Sequence, residues 1–460
     1  MLKKNVTRRG FMKGLAAAGL GAASVQLMAT CAPTAAPAGD TASTTGAGSA
    51  PAATDVVLRV QVPPEAGQSV MPTILGERYQ ADSGVEVVIE ETIYGEIETK
   101  TQTGFISGTL QDLTYLHHRW LFINYLKGIY LEIDDLLASD PPEDYDDIYP
   151  SVMAGNALDG KNFSVPGVVH PGGNIAVNYN KTILEDKGLP LPQEGWTFQD
   201  WTELAKAAAD PEAGIFGLGF DGMNSFHYYS NTSRSFGDPG SKDSWVMNEE
   251  GTEFVFNTPL HEEIGNWYVS ILNDRIAPRK PDYIENSAGN IFVAGLSATH
   301  ASIVGNVANF LNRIEGAFEM DAVPLPVGSE GRQGTCYSGN QHMINSNTAN
   351  PEQAYELLKM FSSGEAGVLM VLEGKLQPNG HKSAWTDAGV NEVNKMYGIT
   401  DELLSAGIEP FPMPKNTRFT EANNAFLNDI DLVWEGEATW AEQAPIIVEK
   451  VQAVLDMDRP

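Results

Sequence analysis

The sequence predicts an α/β fold with chain enough for two domains, and three observations predict it. Runs of β-branched residues alternate with helical stretches from the start of the body, from about Asp55. The chain from there to Pro460 is long enough for two domains by the usual size prior. Helix-start signals recur to the end, as strands and helices stacked in layers require.

Val56–Val62 is a β-branched run stopped by Pro63 and Pro64, and a helical stretch follows around Ser69–Gln80. Gly84–Glu90 reads as the second strand, and strand–helix–strand at this spacing argues for a parallel βαβ unit. A helix around Glu96–Ser107 leads to a short strand, Asp112–Leu116; further strands end near Val165 and run over Asn174–Tyr179. Thr197 with Asp200 forms a capping-box start, with Trp201, Leu204 and Ala205 as its apolar face. Thr258-Pro259 and Asn350-Pro351 place an N-cap before a proline at the first helical position. Ile264, Trp267, Tyr268 and Ile271, then Ala354, Leu357, Leu358 and Phe361, repeat at helical spacing and read as core; two more helices follow from about Glu421.

Residues 1–30 are set apart. Thr7-Arg8-Arg9-Gly10-Phe11-Met12-Lys13 before a small apolar stretch resembles a twin-arginine export signal, which a receptor reads on folded cargo. That stretch, Gly14–Thr30, is rich in Ala and Gly and falls short of the roughly 20 strongly apolar residues that span a bilayer. Leu27-Met28-Ala29-Thr30-Cys31 resembles a lipobox, with Thr30 where Gly or Ala is usual, making Cys31 the expected lipidated N-terminus; the alternative is an ordinary signal peptide cut nearby. Residues 31–54, nearly all Ala, Thr, Pro, Gly and Ser after the cysteine, read as a flexible tether holding the body off the membrane.

Removing residues 1–30 takes away Lys3, Lys4, Arg8, Arg9 and Lys13 and no acids, which moves the formal charge from −31 to −36. So acidic a surface repels phosphate backbones, and nucleic-acid partners are excluded. With Cys31 assigned to the anchor, Cys336 stands alone, so no internal disulfide forms and stability must come from packing.

Several stretches, in order, carry a resemblance to the family 1 extracellular solute-binding proteins, the carbohydrate-type receptors of ABC importers. They are Tyr130–Leu137, Gly160–Pro166, and Asn178–Leu189 followed by Pro192 and Gly195-Trp196-Thr197. Ile291–Gly295, Asp321–Gly328 with its Pro-Leu-Pro-Val-Gly, and Asn350–Leu358 complete the set. The resemblance covers nearly all of residues 55–455. It implies a two-lobe fold like that of the periplasmic binding proteins, with discontinuous lobes joined by hinge strands that cross near Pro166, Pro326 and Leu372. One lobe is then 55–167 with 327–372, and the other 168–326 with 373–460. It further implies capture of a small solute, a sugar foremost, in the interlobe cleft for delivery to the membrane permease of an ABC importer, with no chemical step. The chain is expected to act as an exported monomer on the outer face of the cytoplasmic membrane or in the periplasm, without cofactor or metal.

In open α/β sheets ligands sit at the carboxyl ends of strands, so the loops there supply the candidates. His117, His118, Arg119 and Trp120 follow the strand ending at Leu116 and combine a cation, two imidazoles and an indole. A sugar takes planar side chains against its C–H faces and fork-like donors for its hydroxyls. The competing reading packs Trp120 inside the lobe with Phe122 and Tyr125. Glu65 follows the first strand, His170 lies just past Pro166, and Phe226, His227 and Tyr228 follow the strand Ile215–Phe220. Ser302 falls where many relatives carry an aromatic that Ile303-Val304-Gly305 lacks. Tyr337 and Asn340 lie in a glycine-bearing loop, and Arg418 precedes the final helices.

Two rival readings stand beside the receptor. An exported carbohydrate-active hydrolase needs placed catalytic groups, but there is no Gly-x-Ser-x-Gly and His261-Glu262-Glu263-Ile264-Gly265 lacks a second zinc histidine; a pair of distant carboxylates stays open. A metal-ion receptor would rest on His117 and His118 with His170 and His227, though neighbouring histidines seldom chelate one ion together. Gly217–Gly222 fits Gly-x-Gly-x-x-Gly without a helix start behind it, and reads as a turn-rich strand end with no dinucleotide.

Overall fold

In the computed structural model, residues 55–64, 67–165, 169–170, 175–248, 250–328, 330–334, 338–405 and 416–458 are described, the side chains at 119, 169, 170, 227 and 338 excepted. The signal, Cys31 and the tether therefore lie outside the described residues. The strands are β1 (Val57–Val62), β2 (Glu86–Glu91), β3 (Leu113–His117), β4 (Ala157–Leu158), β5 (Lys161–Asn162) and β6 (Val169–His170). They continue with β7 (Ile175–Asn180), β8 (Phe216–Phe220), β9 (Ser297–Ile303), β10 (Met320–Pro324) and β11 (Ser338–Ile344).

Two sheets divide them. The first runs β2-β1-β3-β11-β6, and the second β10-β7-β9-β8. β1 pairs in parallel with β2 and β3, with Val60 opposite Ile89, as the strand–helix–strand spacing predicts. β11 returns antiparallel to β3, with Asn340 opposite His117, so the first sheet is closed by chain that has already passed through the second. In the second sheet β7 lies antiparallel between β9 and β10, and β8 adds in parallel to β9.

β6 pairs with β11, Ser338 opposite His170. β6 thus still belongs to the first sheet, although Val169 and His170 lie past the crossing expected near Pro166. The strand expected to end near Val165 is instead the short hairpin β4–β5, turned by Asp159 and Gly160, both at positive φ.

The caps explain where helices begin. The Thr197 hydroxyl accepts from the Asp200 amide at 3.1 Å and Asp200 answers to the Thr197 N–H at 2.8 Å, starting the helix Phe198–Ala208. Thr258 caps Pro259–Asn273 by accepting from the His261 amide, whereas Asn350 before Pro351 makes no side-chain cap bond. Trp201, fully buried, donates its indole N–H to Thr299 at 2.8 Å and so ties this helix to β9. Trp267, counted with the core above, is only half-buried and bonds Thr202 at the edge.

The helices from Gly364 to Ser405 pack on both halves. Gly364–Leu372 packs on the first-sheet helix Val70–Ser83. Val371, Trp385, Val390, Met396 and Tyr397 share one buried cluster with Ala176, Val304, Val307 and Ala322 of the second sheet's layer. Among the described residues no helix is long and apolar enough to cross a membrane.

Candidate functional site

The carboxyl end of β3 runs into a single helical turn, His118–Trp120, and this turn lies against the helix Phe419–Trp434. That helix also covers the end of β8: the Asn423 side chain accepts from the Phe226 amide at 3.0 Å, and Asp431 accepts from Asn224 at 3.0 Å. One helix therefore touches the strand ends of both sheets.

On the first-sheet side, Tyr94, His117 and Trp120 form an aromatic group, with ring centroids 5.7 Å apart for Tyr94–Trp120, 5.9 Å for His117–Trp120 and 6.4 Å for Tyr94–His117. Tyr94 and His117 are half-buried and offer ring surface. Asn340, opposite His117 on β11, is also half-buried.

On the second-sheet side the centre is Asp221, just past β8. Its carboxylate accepts the Ser302 hydroxyl at 2.7 Å and meets His300 Nε2 at 3.2 Å, while Asn306 donates to Ser302 at 2.6 Å. Burial alone would raise the Asp221 pKa, but the neighbouring His300 and the bonds from Ser302 and the Gly289 amide outweigh it and hold the group below the ordinary carboxylate value. Burial, then the Asp221 charge, pushes the Tyr228 phenol upward, so that hydroxyl stays neutral. Asp221, Asn224, Tyr283, Arg279 and Trp434 line a cavity of about 360 Å³.

The sequence candidates divide. His117 and Ser302 lie at the ends of β3 and β9 and Tyr228 in the helix after β8, whereas Asn340, expected in a loop, is the third residue of β11; Ser302 is fully buried and donates to Asp221. His118 turns inward: its Nε2 is 3.2 Å from the Gly155 carbonyl and its ring packs on Phe122, because the turn after β3 reverses the side on which successive residues emerge. Trp120 is only 4 % exposed within a cluster holding Leu121, Phe122 and Phe163, so most of its surface packs as core. Phe226 is second-lobe core, packed on Phe254, Phe419 and Phe426, since it starts a helix whose first residue faces inward. Arg418 folds back to the Asp458 carbonyl and pairs with Glu421 at 2.9 Å, a helix-end interaction. Glu65 and Tyr337 lie outside the described residues, as do the side chains of Arg119, His170 and His227.

Sequence reasoning passed over Tyr94, Asp221, Asn224, Asn306 and Tyr283. Asp221 carried a signal: a carboxylate one residue past a strand, within the stretch set aside as a turn-rich strand end. Of the four histidines of the metal reading, His117 and His118 diverge, His117 towards Tyr94 and Trp120 and His118 towards Gly155. Among the described residues no three His, Cys, Asp or Glu side chains are grouped to hold an ion.

Known proteins share this fold. Residues 63–368 match the family described as bacterial extracellular solute-binding protein. The ABC substrate-binding protein Lmo0181 from Listeria monocytogenes, solved with cycloalternan, superposes with a TM-score of 0.74 at 15 % identity, over 88 % of this chain and 99 % of that one. The GacH receptor of Streptomyces glaucescens, solved unliganded and with acarbose, gives 0.73 at 18 % identity over 88 % and 100 %. Maltose-bound MalE3 of T. maritima gives 0.72 at 18 % over 87 % and 100 %. No curated protein sequence matches the chain. At these identities the superpositions establish the two-lobe fold, and the family match covers well over half the sequence: the chain belongs to the bacterial extracellular solute-binding proteins.

Proposed function

We propose that this protein captures a sugar between its two lobes, unaltered, and hands it to the permease of an ABC importer. The observation that carries the reading is the pairing of two unlike half-sites under one helix. Tyr94 and His117 offer ring faces for the C–H surface of a sugar. Asp221, with Ser302 and Asn306 behind it, offers an ionised acceptor for hydroxyl groups. A ligand that contacts both halves favours the closed arrangement by its differential affinity, which is what a permease can sense. The carbohydrates bound by the similar structures support the same choice.

The lobes we assign are those of the two sheets, with the first crossing between His170 and Ile175 and the second after Pro324. Export through the twin-arginine signal, acylation at Cys31 and a monomeric body on a tether complete the proposal, supported by the N-terminal sequence. The site binds without catalysis.

Thermal melting against panels of sugars, polyols, peptides and divalent metals tests this. A saturable rise with a sugar or polyol is expected, since a ligand of the folded state stabilises by mass action. A rise only with metal, abolished by chelator, would favour the metal receptor, and sugar cleavage without saturable binding would favour the hydrolase.

A further inference from the structure

His300 lies on β9 beneath the Asp221 carboxylate, fully buried, in a setting shaped around an imidazole. Its ring stacks on Phe292, with centroids 5.9 Å apart and planes at 23°, and meets Phe310 edge-on at 5.6 Å. The room is made by Gly219, where a Cβ would stand 2.5 Å from His300 Nδ1, and by Gly289, where one would stand 3.2 Å from Phe310 and 3.5 Å from His300 Nε2. An apolar side chain would fill an aromatic slot without needing polar contact. Here Nε2 is placed 3.2 Å from Asp221 Oδ1, a contact bent away from a straight hydrogen bond in the ligand-free protein. Neither ring nitrogen completes a hydrogen bond among the described residues, and Nε2 is the one that stands beside the carboxylate, where a ring proton would act on it.

We propose that His300 is a positioning residue of the solute site, orienting the Asp221 carboxylate so that its free lone pairs point into the cavity for ligand hydroxyls. The other donors fix the opposite side: Ser302, itself held by Asn306, takes Oδ2. No cation of the cavity replaces His300. Arg279 is spent on the Trp434 carbonyl at 3.0 Å and Asn273 at 2.7 Å, and Lys280 on Asp431. Asp431 and Glu435 add negative charge to the lining, and Tyr228, Tyr268 and Tyr283 are phenols that burial keeps neutral. Without the imidazole, burial of Asp221 is opposed only by Ser302 and the Gly289 amide. The carboxyl then protonates at higher pH, and hydroxyl binding falls away in mild acid.

The orientation and titration can be read without ligand; only the binding arm rests on the sugar-receptor reading. In full-length protein with isotope-labelled aspartate carboxyls, the Asp221 signal is assigned by its loss in Asp221→Asn and titrated in wild type and His300→Gln. The midpoint is expected to rise by about one pH unit or more in the variant; an unmoved midpoint overturns the proposal. Should His300→Gln fail to fold, nitrogen shifts of the wild-type ring decide: a proton on Nε2 supports it, and a proton on Nδ1 alone overturns it. For binding, titration with maltotriose at neutral pH and at about pH 5 should show His300→Gln losing about tenfold more affinity in acid than wild type. Equal pH dependence in the two proteins contradicts the role of His300. Absence of any sugar binding by wild type would instead sink the receptor reading and leave the carboxyl titration to judge His300.

Discussion

The Trp196 indole donates its N–H to the Pro324 carbonyl at 3.0 Å, and the Trp196 carbonyl accepts from the Val327 amide at 2.9 Å. One buried residue thereby holds both ends of the stretch by which the chain leaves the second sheet. Trp196→Phe keeps the ring and strands a buried carbonyl, which costs about 1–3 kcal/mol. Urea denaturation should show a loss of that size in the ligand-free protein.

Trp120 and Tyr94 are neighbours with different duties. Trp120→Ala empties a packed position and should cost about 3–5 kcal/mol of ligand-free stability. Tyr94→Ala, at a half-buried ring, should cost far less and weaken sugar binding instead. Denaturation with and without sugar separates the two; a Trp120→Ala protein that melts normally when empty would return the indole to the ligand.

Acid should weaken the fold through buried imidazoles. His342 sits between Tyr115 and Phe361, and burial lowers its pKa to about 3. His261 is lowered to about 4, again by burial, against the Trp245 and Val255 carbonyls. The folded values lie below the unfolded value of about 6.5, so the unfolded chain takes up protons that the folded one refuses. This stability is complete above pH ~6.5 and is lost as pH falls towards the folded values, at about 1.4 kcal/mol per pH unit for each histidine. His342→Leu should flatten that acid limb, measured as ligand-free stability against pH.

Gly305, after β9, lies under the buried Gln377, whose Oε1 would stand 1.9 Å from an added Cβ. Gly305→Ala should destabilise the protein by about 1–3 kcal/mol through overpacking. Gln377→Ala in the same chain should restore much of the loss, which a double-mutant cycle would read as coupling.

The first sheet was legible because β-branched runs and a helix alternate there with little interruption, and Thr197 with Asp200 marked a helix start by its cap. The return of β11 beside β3 was hidden, since no local pattern records a pairing between residues so far apart in sequence. For the proposed site, topology directed the search to the loops after β3 and β8. Which side chains face inward depends on the first turn after each strand: it buries His118 and Phe226 and leaves His117 and Tyr228 half-buried. Asp221 was missed because aromatic and basic residues were sought, whereas the second half-site we propose is a carboxylate shaped by residues from another strand.

Small-angle scattering with and without the sugar that most raises the melting temperature tests the two-lobed grip most directly. The radius of gyration should contract on saturation, with the sugar recovered chemically intact. A sugar that binds with no contraction, or that is returned cleaved, would contradict it.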